Sequence, residues 1–217
     1  DGSGLLFAVV RNGTIGEFRR QFDKGGRADS VFFGPEQLSI HAVTADQQTG
    51  IGVVIEGSAF DIVAVNLEGP SRFDTLLATR YSEGWPALSP DDRWLAYQSD
   101  ESGRMEVYLR AWPSLGSKVQ VSQNGGTEPT WSRDGKELFY RSGGGTEPKM
   151  AAAVVVDGRV QSRTELFSVG RYEFSTPHRN FDVFPDGRSF AMVRQGTPGQ
   201  QAEVVYLQNL PGLMQQR

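Results

Sequence analysis

The sequence contains no cysteine and only two histidines among its 217 residues. The missing cysteines exclude a disulfide framework, thiol catalysis and any thiolate metal site, and they leave both oxidising and reducing compartments open. His41 and His178, with no GxSxG stretch beside them, leave little from which to build a Ser-His-Asp arrangement. Neither histidine lies near another candidate ligand in a metal-site pattern, and no DxDxDG calcium loop occurs. No catalytic residue, cofactor or metal is expected. Charge of one sign is also wanting: 22 basic and 26 acidic residues are intermixed at a net −4, so no basic stripe exists to neutralise phosphates, and nucleic acid is not an expected partner. No apolar run approaches the roughly 18 to 20 residues that span a bilayer, so this segment is not expected to insert in a membrane. The glycine run RSGGGT from Arg141 lacks the Lys-Ser/Thr of a phosphate loop and reads as a connection.

Helix is scarce as well, because 26 glycines and 11 prolines interrupt the chain. One window, Ser71 to Glu83, has helical spacing of Phe73, Leu76, Leu77 and Tyr81, but its place in the repeat described next makes it a strand.

What the chain has is an internal repeat. SPDDRWLAY (89–97), SRDGKELFY (132–140) and FPDGRSFAM (184–192) share one pattern, and weaker copies lie at Asp1 and Thr44. The aspartates Asp1, Asp46, Asp91, Asp134 and Asp186 are spaced by 45, 45, 43 and 52 residues, intervals that suit propeller blades of four strands. Each aspartate sits between a short alternating run and a β-rich run, and Asp-Gly between such runs is a strong hairpin signal. Asn12-Gly13-Thr14 reads as another hairpin turn, although it also fits a glycosylation pattern. Third strands follow at 60–67, 105–112, 150–156 and 203–210, and weaker fourth strands at 118–122 and 165–169. The expected fold is an all-β propeller of four-stranded antiparallel blades, with about five repeats at approximately 1–36, 37–80, 81–124, 125–176 and 177–217.

The first repeat lacks its opening strand and the last its closing one. Three arrangements meet that shortage: the two ends complete one blade, upstream blades are missing, or two copies close on each other. A start inside a turn favours missing blades, that is, a fragment of a larger ring. Open edges also predict self-association.

The pattern xPxWSPDGxxLAF followed by xxYVxxL, seen in 85–97, 128–140 and 180–192, resembles the TolB-like, WD-type propeller repeats of bacteria. AYQSDESGRMEVYLRAWPS (96–114), GGTEPTWSRDGKELFYRS (125–142) and EVVYLQNL (203–210) resemble the propeller that follows the kinase domain in bacterial serine/threonine protein kinases. That likeness is good over 81–210 and weak over 1–80. Asp92 stands where glycine is usual and Phe184 where serine is usual. The resemblance implies a non-catalytic sensor or docking module beside a kinase, on the extracytoplasmic side, with a protein or small molecule as ligand. The chain itself has no GxGxxG loop, His-Arg-Asp or Asp-Phe-Gly, so phosphoryl transfer is not assigned to these residues. The alternatives are a substrate gate of a serine peptidase or hydrolase and a scaffold in an envelope complex.

Trp94 and Trp131 recur at apolar positions and should pack between adjacent blades. The place of Trp85 is taken elsewhere by Ile40, Glu128 and Asn180, and a position that varies so widely is not expected to be core. It precedes the inner strand. The candidate binding residues are therefore those expected at the channel mouth: Ile40, Glu83, Trp85, Thr127, Glu128, Arg179 and Asn180. His41 takes the place of Pro86 and Pro129 and reads as structural, and His178 reads as an exposed loop residue.

Overall fold

The computed structural model describes residues 4–11, 14–21, 28–33, 37–57, 59–68, 72–143, 147–174, 179–194, 196 and 203–207. All regular elements among them are strands. Blade one is β1 (Gly4–Arg11), β2 (Thr14–Gln21) and β3 (Asp29–Phe33). Blade two is β4 (Gln37–Val43), β5 (Thr49–Glu56), β6 (Ala59–Asn66) and β7 (Phe73–Leu77). Blade three comprises β8 (Glu83–Leu88), β9 (Trp94–Ser99), β10 (Glu106–Ala111) and β11 (Lys118–Gln120). In blade four come β12 (Gly126–Trp131), β13 (Glu137–Ser142), β14 (Lys149–Val156) and β15 (Arg159–Ser168). Blade five holds β16 (Phe181–Val183), β17 (Phe190–Arg194) and β18 (Glu203–Leu207).

Each sheet is a meander in chain order, three of four strands and, at either end of the chain, two of three. This is the blade architecture of a β-propeller, as the repeat length predicts. Within the window of helical spacing, Phe73–Leu77 form a strand, β7, and no helix occurs among its described residues. Asp1, Asn12-Gly13 and His178 lie outside the described residues, although β1 and β2 pair with Arg11 opposite Thr14.

The chain divides into two compact units, Asp1–Pro86 and Ala87–Arg217. In the first, Val31 and Phe32 of blade one join Leu38, Val54, Val63 and Val65 of blade two in one apolar cluster, with Leu6 packed against it. Two clusters fill the second unit. Ala96, Val107 and Leu109 of blade three meet Leu138, Tyr140, Ala151 and Ala153 of blade four. Phe139, Met150 and Ala152, on the other face of blade four, meet Phe181, Phe190 and Met192 of blade five. Strand alternation explains the arrangement, since neighbours in sequence point to opposite faces and each blade serves two interfaces.

The tryptophans expected between blades are there. Trp131, 8% exposed, lies in the cluster joining blades three and four and donates its indole N–H to the Ala87 carbonyl at 3.2 Å. Trp94 packs against the same cluster, and its ring lies so close to Gly158 that a Cβ there would meet it at 2.1 Å. Gly158 is also left-handed, at φ 71°, so two independent constraints select glycine.

The repeated turn has one chemistry in four blades. A β-turn is closed by the N–H of Gln47, Asp92, Gly135 or Gly187 on the carbonyl of Thr44, Ser89, Ser132 or Phe184, at 2.8 to 3.0 Å. The donor residue is left-handed every time, at φ 61°, 53°, 70° and 64°. The aspartate before it accepts the N–H two residues on, from Gln48, Arg93, Lys136 and Arg188, at 2.9 to 3.2 Å. In three turns the first residue supplies a hydroxyl that donates to that carboxylate: Thr44 to Asp46 and Ser89 to Asp91 at 2.6 Å, Ser132 to Asp134 at 2.7 Å. Phe184 cannot do so. In blade five Ser189, beyond the turn, donates to Asp186 at 2.7 Å instead.

Candidate functional site

The candidate residues fall in both units, and each set is built on a first strand with an irregular backbone. In the first unit the pairing of β4 with β5 slips between Ile40 and Ala42, leaving His41 in a bulge. Trp85, on the edge of this unit, has φ 49°. In the second, β12 slips against β13 between Thr127 and Thr130, and Glu128 has φ 55°. A bulky residue held left-handed costs on the order of 1–3 kcal/mol, and a bulge re-aims the side chain it carries. Trp85 and Glu128 hold corresponding places in their repeats, so one distorted backbone presents an indole in blade three and a carboxylate in blade four.

Burial departs from expectation. Trp85 is 4% exposed, with the Phe60 ring 5.4 Å and the His41 ring 6.3 Å from its own. A variable position is core after all, because the aromatic surroundings of this one are specific to its blade. Glu83 is 2% exposed and accepts from the hydroxyl of Thr79, with the Thr79 N–H at 3.4 Å. Glu128 is fully buried. Ile40, Thr127, Arg179 and Asn180 are half-buried. The open groove of about 400 Å³ in the first unit is lined by Gln48, Asn66, Glu68 and Asp74 among others, and by none of the candidates.

The most developed polar cluster is in the second unit. Glu128 pairs with the Arg141 guanidinium through Nε and Oε2. Its Oε1 accepts the Asn180 N–H at 3.0 Å, while its own N–H donates to Gln98 Oε1 at 3.0 Å. Arg141 donates to the Glu173 carbonyl at 2.5 Å and lies about 6 Å from the centroids of Phe174 and Phe181. Three blades thus contribute: Gln98 from blade three, Glu128 and Arg141 from blade four, Asn180 and Phe181 from blade five. Burial pushes the Glu128 carboxyl above the usual carboxylate range, and the Arg141 charge and the Asn180 N–H pull against it. Of the candidates, Glu128 and Asn180 are brought together here, and Gln98 and Arg141 are members that sequence reasoning missed. Arg141 closes the apolar run Leu138-Phe139-Tyr140, and a charge at such a point was the available signal.

A second buried acid was also missed. Glu106 has no exposed surface and accepts from Arg104 Nε at 2.7 Å, from Gly125 N–H at 2.9 Å and from the Ser122 hydroxyl. Its lone pairs are occupied by its own blade and by the link into blade four, which makes it a structural anchor. No group of three or more His, Asp or Glu able to hold a metal occurs among the described residues.

No family model and no curated protein matches the sequence. Solved structures do. TolB from Acinetobacter baumannii superposes with a TM-score of 0.74 at 13% identity, over 96% of this chain and 49% of that one. A protein assigned as TolB in Agrobacterium tumefaciens gives 0.63 at 18% identity, over 77% and 63%. A puromycin-hydrolyzing peptidase of Mycobacterium tuberculosis gives 0.63 at 15%, over 94% and 36%. The chain therefore has a TolB-like β-propeller fold, and it spans about half to three-fifths of the length of the TolB structures it matches. The likeness is one of fold, and that fold also occurs in enzymes.

Proposed function

We propose that the chain is a non-catalytic recognition module that binds a protein or small ligand at the first-strand bulges of its blades. The observation that carries this reading is the pair Trp85 and Glu128. A left-handed backbone recurs at the corresponding place while the side chain it carries changes in chemistry. The corresponding Ile40 and Asn180 are not left-handed, so the frame is shared by blades three and four alone, and two different side chains on one frame suit recognition, since loops and bulges on a rigid scaffold aim contacts without altering the fold. The resemblance of 81–210 to kinase-linked propellers supports a bacterial serine/threonine kinase as the attached domain, with the module as its extracytoplasmic sensor. A second reading, substrate gating for a serine peptidase, is favoured by the likeness to the mycobacterial peptidase. A scaffold role in an envelope complex draws only on the likeness to TolB.

The test uses Thr127 and Arg179, which are half-buried and so can be changed with little effect on folding, unlike Trp85 and Glu128. A peptide and small-molecule library is screened by thermal shift, and each hit is titrated against the chain and its Thr127→Arg and Arg179→Ala variants. Loss of affinity by about tenfold or more at unchanged melting temperature is expected. Hits indifferent to both changes, or hydrolysis of peptide or ester substrates by the chain alone, would overturn the reading. The coding sequence on either side decides between a kinase and a GxSxG hydrolase.

A further inference from the structure

The sequence holds the pair Asn124-Gly125 in the connection between β11 and β12. An Asn-Gly pair is prone to deamidation, because glycine has no side chain to keep its nitrogen away from the neighbouring side-chain amide, and asparagine is among the thermolabile residues. Here the backbone demands the glycine. Gly125 has φ 91°, where any side chain would be strained. Gly126 is fixed as well: its N–H donates to the Met105 carbonyl at 2.9 Å, and a Cβ on it would meet the Ser122 hydroxyl oxygen at 2.3 Å.

Deamidation at such a pair has a defined geometry. The glycine nitrogen loses its proton to a base in the solvent and bonds to the asparagine Cγ. The Cγ–Nδ2 bond breaks and that nitrogen leaves as ammonia. Water then opens the succinimide at either carbonyl, giving aspartate or isoaspartate. In the ring, Cγ takes the place on the glycine nitrogen that the amide hydrogen held. At Gly125 that place is filled, since its N–H donates to Glu106 Oε1 at 2.9 Å. Glu106 has no exposed surface and is held in turn by Arg104 Nε at 2.7 Å and by the Ser122 hydroxyl. Asn124 is exposed, and its Cγ reaches the nitrogen only when the carboxylate has let go.

We propose that Asn124-Gly125 is a self-modifying site and that the buried Glu106 carboxylate holds it shut, so that conversion follows local opening of the Glu106–Gly125 hydrogen bond. Either product adds a carboxylate close to Glu106, and a second negative charge there opposes closing again. Isoaspartate also adds a methylene to the main chain just ahead of Gly126. Each event therefore alters the entry to β12, the strand that carries Thr127 and Glu128.

The full chain is incubated at neutral pH, folded or in strong urea, and aspartate and isoaspartate at position 124 are measured by peptide mapping, which separates this site from Asn12-Gly13. Conversion in the folded chain should be slower than in urea by about tenfold or more, and Glu106→Ala should remove most of that difference. Where that variant does not fold, hydrogen exchange at the Gly125 amide of the unaltered chain decides. Across mild urea concentrations exchange and conversion should rise in proportion, since both need the same opening. Conversion equally fast in the folded and the denatured chain, a folded Glu106→Ala variant as slow as the parent, or exchange that rises while conversion stays constant would each overturn the proposal.

Discussion

The Glu128 carboxylate and the Arg141 guanidinium face each other within blade four, both almost wholly removed from water. Two charges so placed are expensive to bury, and breaking the pair is more costly than never having had it. Glu128→Ala leaves the Arg141 charge buried without its counter-ion, still donating to the Glu173 carbonyl, and should destabilise the chain by about 3–5 kcal/mol in denaturant titrations. Glu128→Leu combined with Arg141→Met should recover most of that loss. A single variant of near-native stability would show that the pair is solvated.

Asp92 is the left-handed residue of a turn whose counterparts in blades four and five are glycines. Asp92→Gly should stabilise the chain by roughly 0.5–1 kcal/mol, because relief of the backbone exceeds the added freedom of the unfolded chain. Gly187→Ala supplies the mirror test: nothing lies within 4 Å of the added methyl, so its expected cost of about 1 kcal/mol is conformational alone. Equal melting of Asp92→Gly and the parent would refute the backbone account.

Acid should act on the same turns. Hydroxyl donation holds the Asp46, Asp91 and Asp134 carboxyls below the usual range, and at Asp186 the Arg188 N–H is the foremost cause. A depressed folded pKa means stability present above the unfolded value of about 3.9 and lost as pH falls through the folded one. Burial raises Glu17, Glu128 and Glu137, which contribute in the opposite sense: their part is complete below about 4.3 and fades as pH rises through their folded values. Ser132→Ala isolates one turn. It should cost about 1 kcal/mol near neutrality and less in acid below the ordinary carboxylate range, once the Asp134 carboxylate is protonated. A cost that is constant with pH would separate Ser132 from the Asp134 charge.

The turns were legible because their chemistry is local: hydroxyl, aspartate and left-handed residue lie within four positions. Strand identity was legible through alternation, and so were the interblade places of Trp94 and Trp131. The burial of Trp85 and Glu128 was not. Glu128 finds Arg141 thirteen residues on and Asn180 fifty-two residues on, partners that only blade stacking assembles. Likewise Trp85 is enclosed by Phe60 and His41, residues of the preceding blade, so its variability between repeats reflected different surroundings and not exposure.

Ser189 has a further meaning. The acid of a blade turn can take its hydroxyl from before the turn, as Asp134 does from Ser132, or from after it, as Asp186 does from Ser189. A blade bearing both would lose little when either was deleted. Sequence drift can therefore pass through such doubly supplied intermediates and erase the serine that marks a repeat while its backbone stays unchanged, so a search keyed to that serine undercounts blades.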